Sequence, residues 1–216
     1  MRFVRLTCAA IAFIGAAWLF GGVAQDVVAG DPLTQVDVVV AQWLHGHASP
    51  LVTQFMLAVT HAHGVIAISV YTLLAASYLA WKRDGYWLAC LCAAVPGGMI
   101  LNALTKLSFR RARPSFDDPF LDMATYSFPS GHVAAATLFY GVLAALLVGK
   151  FRAWRTRALI VSFAFLLVAL VAASRMYLGV HYLSDTIAAF AQALAWLTLC
   201  LAGIDTYLTR RLEQPR

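Results

Sequence analysis

Six stretches of this chain are apolar for long enough to cross a bilayer, roughly 6–24, 64–81, 86–107, 131–149, 158–174 and 182–204. A spanning helix needs about 20 such residues. The second stretch can be extended back to Leu51. One straight helix from there to Trp81 would exceed the ~30 Å thickness of the hydrocarbon. It is therefore expected to project from the membrane or to break near His63-Gly64. Between the first two stretches, Thr34 and Asp37 have the spacing of a helix cap and its acidic partner. Val36, Val39, Val40, Trp43 and Leu44 then recur at helical spacing. That pattern predicts an amphipathic helix over 34–46 lying in the interface. Pro96-Gly97-Gly98, inside the third stretch, predicts a kink or a close helix contact. The pattern as a whole predicts an all-α integral-membrane fold, a six-transmembrane bundle with one interfacial helix, in a single domain over residues 1–216.

Composition supports lipid as the solvent. The chain is 62% hydrophobic and 12% charged, with a mean hydropathy of +0.76. A soluble domain is about half apolar and a quarter charged. The formal charge of +6 could suggest nucleic acid. The basic residues lie in short clusters between apolar runs and form no stripe, so nucleic acid is excluded as a partner. The first run ends on Gly22-Val23-Ala24, which resembles a signal-peptidase site. Its apolar core is long for a signal peptide, so a retained span is expected. Cleavage would leave the remaining topology unchanged.

The clusters also orient the bundle. Arg2 and Arg5 precede the first run, and Lys82 and Arg83 follow the second. Lys150, Arg152, Arg155 and Arg157 separate the fourth and fifth, and Arg210, Arg211 and Arg216 follow the sixth. Both termini are therefore expected in the cytoplasm. The connection 25–50 carries Asp26, Asp31 and Asp37 and no Lys or Arg, as an outside segment should. The stretch 109–130 breaks the rule. It should be outside, yet it carries Arg110, Arg111 and Arg113. Topology does not explain them, so function is the reading to test.

Cys8, Cys90, Cys92 and Cys200 all sit in apolar runs and lack zinc-site spacing, so they read as core thiols. Short loops and a single Asn, Asn102, outside any glycosylation acceptor sequence, point to a bacterial inner membrane.

Polar groups interrupt the apolar pattern at span ends. Lys106 closes the third run, with Arg113-Pro114 seven residues on. Pro129-Ser130-Gly131-His132 opens the fourth. Ser174-Arg175 closes the fifth, and His181 and Asp185 open the sixth. All fall at the predicted outer face, and ionisable groups at membrane depth are costly and usually functional. Lys106, Arg113 and Arg175 offer charge and forked donors to phosphate oxygens. Ser130 stands at a helix N-cap position, where Gly131 leaves the backbone N–H groups open to an anion. His181 and Asp185, four apart, share one helix face. The carboxylate can hold one ring nitrogen protonated and leave the other free to attack. His132 is then available as a general acid.

The pattern Lys106-x6-Arg113-Pro114, Pro129-Ser130-Gly131-His132, Ser174-Arg175-x5-His181-x3-Asp185 resembles the three-part signature of the type 2 phosphatidic acid phosphatase superfamily, related to vanadium haloperoxidases and glucose-6-phosphatase. Every signature position is matched in order. The resemblance implies that His181 is the nucleophile and forms a phosphohistidine, with Asp185 orienting it. His132 would protonate the leaving group. Lys106, Arg113 and Arg175, with Ser130 and Gly131, would hold the phosphoryl oxygens. No metal and no cofactor is implied, fixed cations taking the place of an ion.

The expected function is hydrolysis of a membrane lipid phosphate by a site on the periplasmic face. Candidate substrates are undecaprenyl diphosphate, phosphatidylglycerol phosphate and phosphatidic acid. A lipid phosphotransferase would use the same intermediate. The spans disfavour a haloperoxidase, and the intact nucleophile, acid and cations disfavour a non-catalytic transporter or lipid-binding bundle. Arg110 and Arg111 read either as part of the anionic pocket or as headgroup-level cations. Asp117, Asp118 and Asp122 read as a solvated loop or as charge contacts to those arginines. His45, His47, His61 and His63 read as loop or boundary residues without metal-site register, and Tyr177 and Tyr182 as interface anchors flanking the site.

Overall fold

The computed structural model describes residues 2–121 and 123–213. Asp122 and Arg216 fall outside these residues, and the side chains of Arg2, Arg5, Arg210 and Arg211 are likewise outside the description. Within them the chain forms eight helices and no strand: α1 (Arg2–Ala29), α2 (Pro32–Gly46), α3 (Pro50–Ala62), α4 (Val65–Trp81), α5 (Gly85–Phe109), α6 (Gly131–Lys150), α7 (Trp154–Tyr177) and α8 (Leu183–Glu213). Five of them, α1, α5, α6, α7 and α8, are long and apolar enough to cross a membrane. The pair α3 and α4 passes the same test only together and is bent by 45°. Counted as one broken span, it makes six. The break falls at His63-Gly64, one of the two outcomes expected of so long an apolar stretch.

Helix α6 is the hub, touching α4, α5, α7 and α8. Val133, Ala134, Ala135, Ala136, Leu138 and Val142 are buried along it. A run of alanines lets neighbouring backbones approach, which is how helices associate where lipid removes the hydrophobic drive. At Pro96-Gly97-Gly98 the close contact is found. A Cβ on Gly98 would sit 2.5 Å from Leu138 Cδ1 and 2.9 Å from Trp196 Cδ1. Trp196 also donates its indole N–H to the Ala93 carbonyl at 3.2 Å. The carbonyl next along, that of Cys92, is the one Pro96 deprives of a helical donor. Outward faces carry large apolar side chains, among them Trp18, Ile66, Leu159 and Phe163. Cys8 and Cys92 are exposed on such faces, so only Cys90 is a fully buried thiol. Position inside an apolar run does not tell a lipid-facing residue from a core one.

Helix α2 begins at Pro32, two residues before its expected start, with Asp31 in the N-cap position and proline in the first turn. Asp37 is therefore no capping partner; it is fully buried. Val36, Val39 and Trp43 are exposed on the opposite side.

Two irregular segments bring the polar helix ends together. The connection 110–130 leaves α5 through Arg110 in the left-handed region, φ 48°, and Arg110 Nε bonds back to the Leu107 carbonyl. That arginine closes its own helix. The α7–α8 turn uses Gly179 at φ 68°. A Cβ there would meet the Phe116 ring at 2.8 Å, so the turn and the long connection interlock.

Candidate functional site

The C-terminal ends of α5 and α7, the N-terminal ends of α6 and α8, and the connection 110–130 meet at one end of the bundle. His181 lies in the α7–α8 turn, 2% exposed. Its Nδ1 is 3.3 Å from Asp185 Oδ2. Asp185 is fully buried and densely engaged. Oδ2 also accepts from the Tyr182 backbone N–H at 2.9 Å and from the Ser127 hydroxyl. Oδ1 accepts from Arg111 at 2.7 Å. A carboxylate held by this many donors cannot rotate away from the ring it orients. On the other edge of the ring, Arg113 Nη1 lies 3.2 Å from His181 Nε2. Burial, reinforced by the nearby Arg113 and Arg175, pushes the His181 pKa down to about 4 despite Asp185. The ring is thus neutral at neutral pH, protonated on the carboxylate side and bearing its lone pair on Nε2.

Arg113 and Arg175 act on this ring, Lys106 lies within electrostatic reach of Asp185, and the three differ in engagement. Arg113 forks onto the Thr125 and Tyr126 carbonyls and the Thr125 hydroxyl and reaches the Val180 carbonyl. Lys106 Nζ donates to the Tyr126 carbonyl at 2.7 Å and lies 3.4 Å from that of Ser127. Arg175 is 1% exposed and bonded at one nitrogen only, to the Thr60 hydroxyl of α3. Among the described residues its Nε and Nη2 have no hydrogen-bond partner, and neither does the buried Oγ of Ser130. Ser130 is the N-cap of α6 but makes no side-chain cap; its backbone N–H donates to the Asp185 carbonyl. Gly131 is half-buried at the start of the helix. A Cβ on it would make only an ordinary contact, 3.6 Å from Asn102, so packing alone does not demand glycine there. His132, one residue on, is within electrostatic reach of Arg175, His181 and Arg113. All eight expected residues are therefore gathered at one place.

Arg111 joins the dyad from outside the expected set. One nitrogen donates to Asp185 and also to Ser184 Oγ; the other donates to Asp37 at 2.8 Å. Its guanidinium carbon lies 4.4 Å from the Tyr182 ring centroid. Burial favours loss of its proton, but Asp185 and Asp37 outweigh that and push its pKa up. Neither the pocket reading nor the headgroup reading of Arg111 fits, because both ends of its fork are spent on carboxylates. Ser127, Ser184, Asp37 and Thr60 complete the surroundings and are absent from the signature. Ser127 and Ser184 at least adjoin signature residues in sequence. Asp37 is a charge on the helix face that also carries Ala41 and Leu44, which is a sign of a buried partner. Thr60 has no such signal.

Other polar residues have local duties. His45 Nε2 bonds Asp118 at 2.8 Å and stacks on Phe116, so Asp118 is paired with a histidine and with no arginine. His63 bonds the Val59 carbonyl and the Tyr140 hydroxyl. Tyr177 is buried, and its hydroxyl joins Ser49 and Thr53, which ties α7 to α3. It is not an interface anchor. Among the described residues no group of three His, Cys, Asp or Glu side chains is arranged to hold a metal ion.

Comparison with known proteins follows the same lines. The family model for the PAP2 superfamily matches residues 85–207, more than half the chain. Phosphatidylglycerophosphatase B of Bacillus subtilis is 28% identical over 164 residues, 74% of this chain and 79% of that protein. A probable lipid phosphate phosphatase beta of Arabidopsis thaliana is 30% identical over 123 residues, 52% of this chain and 57% of that one. The crystal structure of a transmembrane PAP2 type phosphatidylglycerolphosphate phosphatase from Bacillus subtilis superposes with a TM-score of 0.75 at 21% identity. It covers 96% of this chain and 98% of the other. LpxE of Aquifex aeolicus gives 0.60 at 20% identity, covering 77% and 94%. At those identities the two structures speak for the fold.

Proposed function

Because the chain belongs to the PAP2 superfamily, we propose that it is an integral-membrane lipid phosphate phosphatase working through a phosphohistidine on His181. One observation carries this reading. Buried beside a neutral histidine on a locked carboxylate, Ser130 Oγ and the Nε and Nη2 of Arg175 have no hydrogen-bond partner among the described residues. Orphaned buried donors of this kind are expensive, and a tetrahedral anion between them would satisfy all three. In the proposed reaction His181 Nε2 attacks phosphorus and the P–O bond to the lipid breaks. His132 gives its proton to the departing oxygen, and the N–P bond forms. Asp185 stabilises the positive charge that grows on the ring. Water then cleaves the N–P bond, with His132 taking a proton back. Arg175, Arg113, Lys106, Ser130 and the N–H groups at Gly131 balance the charge on the equatorial oxygens.

The membrane setting is part of the proposal. The broken pair α3–α4 is read as one span, giving six. Helix α2 lies in the interface with Val36, Val39 and Trp43 toward lipid. The site faces the periplasm and both termini the cytoplasm. A site at that surface suits a lipid with a buried tail and a wet phosphate. Undecaprenyl diphosphate, phosphatidylglycerol phosphate and phosphatidic acid all fit this description, and the names of the relatives favour phosphatidylglycerol phosphate. The test is phosphate release by purified protein from these three lipids, with and without EDTA, beside His181→Ala. Release from at least one, retained under EDTA and lost in the variant with no acid-labile phosphoenzyme, supports the reading. Loss on chelation restored by magnesium, or full activity in His181→Ala, sinks it.

A further inference from the structure

We propose that Asp37, on the helix outside the signature region, is a positioning residue for the His181–Asp185 dyad and acts through Arg111. The inference rests on the assignment of His181 and Asp185 made above and adds a residue that the signature does not contain.

The geometry is a chain of charge. Asp37 is fully buried, and each of its oxygens is spoken for. Oδ1 accepts from the Ser184 backbone N–H at 2.9 Å. Oδ2 accepts from the Ser184 hydroxyl and from Arg111 Nη2. Arg111 Nη1 goes on to Asp185 Oδ1 at 2.7 Å, and Asp185 Oδ2 faces His181. A single guanidinium thus spans two buried carboxylates, one on α2 and one on α8. With both present it is held in one orientation. Without Asp37 its second fork has no anion, and only the Ser184 hydroxyl and the Tyr182 ring are left to oppose its turning onto Asp185. A carboxylate drawn to a cation on one side gives less to the ring on the other.

Charge count leads to the same place. Asp37, Arg111 and Asp185 together carry one net negative charge beside His181. Neutralising Asp37 makes the sum zero, so the imidazolium character that develops during attack is less stabilised. Meanwhile Asp37 has no contact with Arg113, Arg175, Lys106 or Ser130 among the described hydrogen bonds, so binding of an anion should be unaffected. The effect therefore belongs on kcat and not on KM.

The backbone position of Ser184 is tied to the same carboxylate. This residue is the neighbour of Asp185 in the first turn of α8, so Asp37 fixes both the cation that holds Asp185 and the peptide that carries it. Helix α2 is in this sense part of the active site, although it precedes the signature by some 70 residues in sequence.

Full-length Asp37→Asn, purified in detergent and assayed on nitrophenyl phosphate and on a lipid phosphate, is the first measurement. Loss of one charge-assisted anchor predicts a kcat lowered roughly 10- to 100-fold, with KM within about threefold. The second is a cycle with Arg111→Gln. Independent residues lower kcat by factors that multiply, and residues on one route do not. Adding Asp37→Asn to Arg111→Gln should cost clearly less than Asp37→Asn alone, because the route through the guanidinium is already cut and only the direct hold on Ser184 remains to be lost. Should Asp37→Asn fail to fold, Arg111→Lys reads the same link, since an ammonium keeps the charge but cannot fork across both carboxylates; it should lower kcat and spare KM. An unchanged kcat in Asp37→Asn, a change confined to KM, or equal losses in both backgrounds overturns the proposal. His181→Ala run in parallel keeps the two readings apart. Activity there would remove the nucleophile itself. An inactive His181→Ala beside a wild-type Asp37→Asn would remove the relay alone.

Discussion

Arg113 holds Nη1 3.2 Å from Nε2 of His181, on the ring edge opposite Asp185. A guanidinium can only donate, so Nε2 must be the lone-pair nitrogen and Nδ1 the protonated one. The same contact covers the atom that attacks phosphorus in the proposed reaction. That reaction therefore requires Arg113 to give up this contact before His181 can attack. Substitution by lysine tests both halves of this. Arg113→Lys keeps the charge but loses the fork that spans the Thr125 and Tyr126 carbonyls. Each charge-assisted bond is worth about 1.5–3 kcal/mol, so kcat/KM should fall roughly 10- to 1000-fold. Steady-state kinetics on nitrophenyl phosphate check this, and a value within twofold of wild type would deny Arg113 any part in the site.

The pH dependence follows from the low pKa of His181, about 4 against an ordinary 6.5. Burial favours the neutral ring, so the fold gains nothing from this group once both states are protonated. Its contribution is complete above pH 6.5 and is lost as pH falls from 6.5 through 4, where the unfolded chain binds a proton that the folded one refuses. The difference amounts to about 3 kcal/mol. Thermal stability should therefore decline across that window and decline less in His181→Phe. The acid limb of kcat/KM, set by the free enzyme, should lie below pH 5. Arg113→Gln removes one of the charges that lower the pKa and should move the limb upward. An acid limb at 6.5 in the native protein would contradict a buried neutral nucleophile.

Much of the site was legible because its residues sit in local motifs at helix ends. Ser130-Gly131-His132 opens a helix, Ser174-Arg175 closes one, and the four-residue spacing of His181 and Asp185 is itself a statement about geometry. The break at His63-Gly64 is one of the two outcomes that length against bilayer thickness allowed. What escaped were residues whose role depends on packing between distant helices. The spacing of Thr34 and Asp37 imitates a cap and its partner, whereas the start signal the helix uses is Asp31-Pro32. Tyr177 read as an anchor because aromatic residues near span ends usually are, yet its hydroxyl crosses to Ser49 and Thr53. Nothing near Thr60 announces that it faces Arg175.

That last pair makes a prediction. The Thr60 hydroxyl is the only partner of Arg175 among the described residues. Thr60→Val keeps the volume and leaves a buried guanidinium with no anchor. The cost of orphaning a charged donor, about 1.5–3 kcal/mol, should show as a KM raised roughly tenfold, because Arg175 would no longer be aimed at the phosphate. Thr60→Ser should restore it. If valine is harmless and serine is not, the methyl group matters and the hydrogen bond does not.

Orientation in the membrane is open to direct chemistry. Ser115 is exposed in the connection 110–130, on the same end of the bundle as the site. With background-reactive thiols replaced, Ser115→Cys should react with an impermeant maleimide in intact cells. Reaction only after permeabilisation would turn the protein over and place its substrate in the inner leaflet.

The two histidines should separate by leaving group. Among the described residues Asp185 is bonded to His181 and to no other ring, so the proposed reaction takes His181 as the attacking group. His132 is free of that carboxylate and lies near the same cations, suitably placed to carry a proton. A general acid matters when the departing oxygen is a poor leaving group, as a lipid alkoxide is. It matters little for a nitrophenolate, which leaves unaided. His132→Ala should therefore lose roughly 100- to 10,000-fold on a lipid phosphate monoester and much less on nitrophenyl phosphate. His181→Ala should lose both alike. A further consequence lies in the second half of the reaction. If His132 also takes the proton from the attacking water, its removal slows hydrolysis of the N–P bond more than its formation from an activated ester. Rapid mixing of His132→Ala with nitrophenyl phosphate should then give a burst of nitrophenolate near one equivalent, with an acid-labile phosphoenzyme left behind. Equal losses on both substrates in His132→Ala, with selective loss in His181→Ala, would mean that the attacking ring and the proton-carrying ring are the other way round.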